Sequence, residues 1–113
     1  MDSILNSVKK MLGLDADYDA FDTEIIIHIN SVFMILQQLG VGPETGFAIA
    51  DASTVWTDYI ENVVFLSLVK SYMYLKVRML FDPPQNSALL EAMNSQIAEF
   101  EWRLNVNAEL TGE

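Results

Sequence analysis

Cysteine is absent, histidine occurs once and basic residues are scarce, and each shortage closes off a class of chemistry. Without cysteine there is no disulfide framework, no thiolate metal site and no thiol nucleophile, which fits an intracellular site of synthesis. With His28 as the single histidine, neither a pair of histidine metal ligands nor a relay with a second histidine can be built. Six bases against sixteen acids give a net charge of -10. Such a charge opposes non-specific adhesion to nucleic acid and keeps an apolar chain in solution, without excluding a protein that encircles DNA and must not stick to it. No long apolar run is free of charge: the longest, residues 63–81, carries Lys70, Lys76 and Arg78, so a membrane span is not expected.

What is present is a chain able to fold. Hydrophobic residues make up 51% of 113 residues and include six Met and six Phe, too apolar for a disordered segment and enough for one modest core. The opening "MDSILNSVKK" has an acid at Asp2 and a short apolar stretch, unlike a secretory signal, so no export is expected.

Periodicity and punctuation predict an all-α fold, a small bundle of about four helices. The first runs from Asp2 to Leu12, with Ile4, Leu5, Val8, Met11 and Leu12 on one face, Lys9 and Lys10 near its carboxyl end and a stop at Gly13. After the acidic loop "GLDADYDAF", the second spans Asp22 to Leu39 and closes at Gly40. Its stripe is Ile25, Ile29, Val32, Phe33, Leu36 and Leu39, while Ile27 and Met34 fall on the far side. Val41 to Asn62 reads as a long connection with room for a short hairpin or a helical turn, packed by Phe47, Ile49, Trp56 and Tyr59. The third helix begins at Val63 and is stopped by "DPP" after Phe81. The fourth runs from Ser87, read as the N-cap, to Asn105, with Leu89, Met93, Ile97, Phe100 and Leu104 inward and Trp102 outside that arc. Residues 1–105 form a single helical domain in this reading, and 106–113 a flexible tail.

The third helix is apolar over most of its circumference. Ser67, Lys70, Ser71, Tyr74 and Arg78 define one polar stripe; Val64, Leu68, Tyr72, Leu75 and Met79 make one apolar face, and Leu66, Val69, Met73, Val77 and Leu80 another. Either it is the central helix, packed on two sides by the second and fourth, or one face packs on a neighbouring subunit. Ile27, Met34 and Trp102 favour the second reading, because three further apolar spots in so small a domain are expected at an interface. Leu66, Met73 and Val77 join them as interface candidates.

Catalytic and metal-binding patterns are missing. Asp15, Asp17 and Asp19 imitate the first half of a calcium loop, but Ala20 stands where the turn needs glycine and Ile26 where a bidentate Glu belongs. The loop is read as solvated acid feeding a helix amino terminus, and His28 as a partly buried structural side chain. No phosphate loop or nucleophile motif occurs, so no enzyme, cofactor or metal is expected.

In order along the chain, "DTEIIIHINSVFMILQQLGVGP", "VWTDYI", "VKSYMYLKVRMLFDPP" and "MNSQIAEFEWRLN" resemble the small head-tail connector proteins of tailed bacteriophages, the adaptor or head-completion family. The resemblance implies a homo-oligomeric ring, twelvefold in the virion, at the neck between the portal protein and the next tail-proximal protein. The subunit would be made in the cytoplasm of the bacterial host. DNA would pass through the channel without specific binding. It also implies that terminal segments order by docking, which makes Val106 and Leu110 of the tail contacts for portal or a neighbour. The competing expectation is a small acidic helical dimer that binds or regulates another protein through Ile27, Met34 and Trp102.

Overall fold

The computed structural model describes residues 3–111, with side chains as far as Ala108. Five helices follow in order: α1 (Ile4–Met11), α2 (Asp22–Gln38), α3 (Trp56–Tyr59), α4 (Val63–Phe81) and α5 (Ser87–Thr111). There is no strand among the described residues, only an isolated antiparallel bridge between Ser3 and Val55. The fold is therefore the all-α bundle expected, and the long connection holds a helical turn, α3, rather than a hairpin.

Local chemistry sets most helix ends. Ser3 Oγ accepts from Asn6 N–H at 3.2 Å and opens α1. Asn62 does the same for α4 through Phe65 N–H at 3.1 Å. The amino end of α5 is capped by Asn86, whose Oδ1 accepts from Ala88 and Leu89 N–H at 2.9 and 3.1 Å, so Ser87 is the first helical residue and not the N-cap. α2 ends where Gly40 takes φ 87°, a left-handed geometry that costs glycine nothing.

One hydrophobic cluster holds the subunit together, and α4 runs through its middle, packing against α1, α2 and α5. α2 supplies Ile25, Ile29, Val32, Phe33 and Leu36; α5 supplies Met93, Ile97, Leu104 and Ala108. α4 buries residues from both of its apolar faces: Tyr72 and Leu75 from one, Leu66, Val69, Met73 and Val77 from the other. Burial of this kind is the dominant stabilising term, worth about 1.5–3 kcal/mol per large apolar side chain.

The connection is fastened to α2 by side chains. Asn30 donates from Nδ2 to Ile49 O at 3.0 Å and accepts from Ile49 N–H at 2.8 Å, replacing the partner strand that this extended segment lacks. Phe33, Phe47 and Tyr59 form a triangle of tilted and edge-on rings with centroids 4.7–5.0 Å apart. Gly42 sits against this triangle so tightly that a Cβ there would lie 2.6 Å from Tyr59 Cε1.

Lys9 stands in the last turn of α1, where its charge suits the dipole, and it has no exposed surface: its Nζ lies 2.8 Å from Asp22 Oδ1 and donates to Ala16 O at 2.9 Å. The loop after α1 turns back over it, with Leu14 N–H donating to Lys9 O. The last helix does not end at Asn105 but continues to Thr111, burying Ala108 on the same face as Leu104. Leu89, placed on that core face from sequence, is exposed near the start of α5.

Candidate functional site

Two kinds of surface could carry function, and neither is a catalytic cleft. His28 is half-buried on α2 with Nε2 enclosed and without a hydrogen-bond partner, an arrangement of a packed side chain. Among the described residues no group of three or more histidine, aspartate or glutamate side chains converges as metal ligands. No helix of the described residues is long and apolar enough to cross a membrane. A shallow groove lined by Gln96, Glu99, Phe100 and Arg103 exists on α5, but its charges are engaged with each other, Arg103 Nη2 lying 2.7 Å from Glu99 Oε1.

Two buried tyrosines have structural roles. Tyr72 donates its hydroxyl to Glu101 Oε2 at 2.7 Å, joining α4 to α5, and Lys76 Nζ stands 3.8 Å from the same oxygen. Burial, then the hydrogen bond and the charge of Glu101, push the Tyr72 phenol far above its ordinary pKa; burial alone does the same to Tyr59. Both tyrosines are held neutral.

The apolar side chains left outside are more informative. Ile27 and Met34, seven residues apart on α2 and hence on one face, are 59% and 63% exposed. Trp102 on α5 is 67% exposed. These three stand where helical spacing placed them, outward on two helices that both pack on α4. Leu66, Met73 and Val77 do not. They are almost wholly enclosed, with Met73 and Val77 at 0% exposure, so they leave the set of candidate contacts. The physical reason is that α2 and α5 together cover both apolar faces of α4, which makes it the central helix of its own subunit. Val106 is half-buried, and Leu110 lies outside the described side chains.

A further exposed group escaped the sequence reading. Tyr18 and Phe21 in the acidic loop meet edge to face with ring centroids 5.8 Å apart, and Phe21 meets Phe81 at the end of α4 at 5.3 Å. Aromatic residues spaced through an acidic loop were the available signal.

Ile27, Met34 and Trp102 are large apolar side chains on the outer faces of a small helical subunit, of the kind that a second protein surface covers. The model of the phage connector protein family matches residues 4–111, and the chain belongs to that family. Its role is that of a phage structural component. No curated protein and no solved structure matches the chain.

Proposed function

We propose that the subunit assembles with copies of itself into a ring at the virion neck, between the portal protein and the next tail-proximal protein, completing the head and leaving a channel for DNA. It acts there as a structural element and not as a catalyst, having been made in the host cytoplasm. The observation that carries this reading is the outward placement of Ile27, Met34 and Trp102 in a member of the connector family. A ring seats each subunit between two neighbours through a head-to-tail interface, which covers two different faces of every copy. The charge of -10 suits a channel that must not hold phosphate. Twelvefold closure and attachment to portal through the carboxyl-terminal turns, including Val106 and Leu110, complete the proposal.

Trp102→Ala tests it. The side chain is mostly exposed, so helix content and melting should change little, while an interface anchor of this kind contributes at least about 2 kcal/mol, or about 30-fold in association. Assembly is read by native mass measurement, alone and with portal rings added. Large closed species that weaken in Trp102→Ala support the ring. A species that stays dimeric in the presence of portal would instead establish the acidic helical dimer, and normal assembly by the variant would remove Trp102 from the interface.

A further inference from the structure

We infer that the surface formed by Tyr18, Phe21, Leu80 and Phe81 docks a basic segment of a partner protein, one that places an apolar side chain between lysines or arginines. This assignment stands on the surface alone and holds whether or not the subunits close into a ring.

The surface is assembled from two distant parts of the chain. Tyr18 and Phe21 come from the loop between α1 and α2, Phe81 from the last turn of α4, and the ring contacts of Phe21 with Tyr18 and Phe81 bring these three together, with exposed Leu80 preceding Phe81 in the same turn. Holding the loop on α4 accounts for those contacts but not for the exposure that remains: Tyr18, Phe21 and Leu80 are 40–49% open to solvent. Adjacent large apolar side chains in the open are costly unless something covers them.

Charge identifies what covers them. Asp17 and Asp19 flank Tyr18, Asp15 lies two residues before Asp17, Asp82 follows Phe81, and all four are exposed. Residues 12–24 and 79–86 contain no base. Exposed carboxylates beside the aromatic residues repel nucleic acid and anionic lipid and attract a cationic, partly apolar chain, whose lysine or arginine can also lie over a ring face.

A second copy of this chain is a poor source of that charge. Lys9 is buried on Asp22, Lys70 stands over the Trp56 ring, Lys76 faces Glu101, Arg78 reaches the Tyr74 hydroxyl and Arg103 is paired with Glu99. Lys70 and Arg78 keep their charge but are half-buried against neutral rings, which leaves Lys10 as the one exposed base without an ion partner, against four exposed carboxylates. A bare metal ion is also a poor fit, since no three carboxylates converge among the described residues. The occupant is therefore a different protein.

The test titrates the isotope-labelled full chain with the peptide acetyl-Lys-Arg-Trp-Leu-Lys-amide, and with a control in which glutamate replaces each base, following backbone amide shifts. The expected result is a set of shifts confined to residues 14–21 and 79–82, present with the basic peptide at roughly 1 mM and lost as salt rises. Asp15→Asn, Asp17→Asn and Asp19→Asn combined should weaken binding about tenfold with the fold unchanged, because none of these carboxylates packs in the core. Phe21→Ala should abolish it. Absence of shifts, equal binding of the glutamate peptide, full affinity in the triple asparagine variant, or shifts centred on Trp102 or Ile27 would each overturn the assignment.

Discussion

Removing the carboxylate of Asp22 should destabilise the subunit more than removing the lysine it holds. Lys9 Nζ is enclosed, forms an ion pair with Asp22 Oδ1 at 2.8 Å and donates a hydrogen bond to Ala16 O at 2.9 Å. In Asp22→Ala the ammonium stays in the core with one neutral acceptor, and stranding a buried charge costs about 3–5 kcal/mol. The Asp22 side chain is 29% exposed, so water reaches that end of the pair and the lower figure applies. About 3 kcal/mol corresponds to a fall of about 12 °C in melting temperature for a chain of this length. Lys9→Met keeps the unbranched stem and removes the charge. Asp22 then takes water, and the main loss is the donor to Ala16 O, about 1–2 kcal/mol. The double variant has no charge to strand and should be no less stable than Asp22→Ala, giving a coupling of about 2 kcal/mol. Urea unfolding followed by circular dichroism measures all four proteins of the cycle. A double variant whose loss is the sum of the single losses, with coupling below about 0.5 kcal/mol, would show that the pair is not the buried contact described here.

The centrality of α4 is checked by comparing two methionines: Met73→Ala should cost about 2–5 kcal/mol by leaving a cavity, and Met34→Ala less than about 0.5 kcal/mol. Equal losses would undo the assignment of Met73 to the subunit's own core. A third prediction concerns alkali. The folded-state pKa of Tyr72 and Tyr59 is raised, so their contribution is fully present below the ordinary phenol value of about 10 and falls as pH rises above it, where the unfolded chain loses protons that the folded chain keeps. Tyr72→Phe should flatten that fall in unfolding free energy, and an unchanged slope would refute the burial argument.

Helix existence was legible because its signals are local. Gly40, the Asp82-Pro83-Pro84 break and the spacing of Ile25, Ile29, Val32, Phe33 and Leu36 each act within a few residues. Burial by distant parts of the chain was not. Lys9 borders the apolar arc of α1, and nothing in that helix reveals that residues 14–16 fold back to enclose it. An α4 that is apolar all round looks the same in sequence whether its second face meets α5 or a neighbour. Of the candidate contacts, the isolated outliers Ile27, Met34 and Trp102 lie outside, whereas members of a continuous stripe, Leu66, Met73 and Val77, lie inside. The extension of α5 was hidden because Ala108 continues the inward spacing of Leu104 with a side chain too small to register as apolar pattern.

Asn105 donates from Nδ2 to Leu39 O at 3.1 Å, so the final helix closes the carboxyl end of α2 as well as flanking α4. The two contacts are therefore kept or lost together. A change that frees α5 uncovers a flank of α4 and the last carbonyls of α2 in one event, so the bundle should open as a single cooperative unit and not helix by helix.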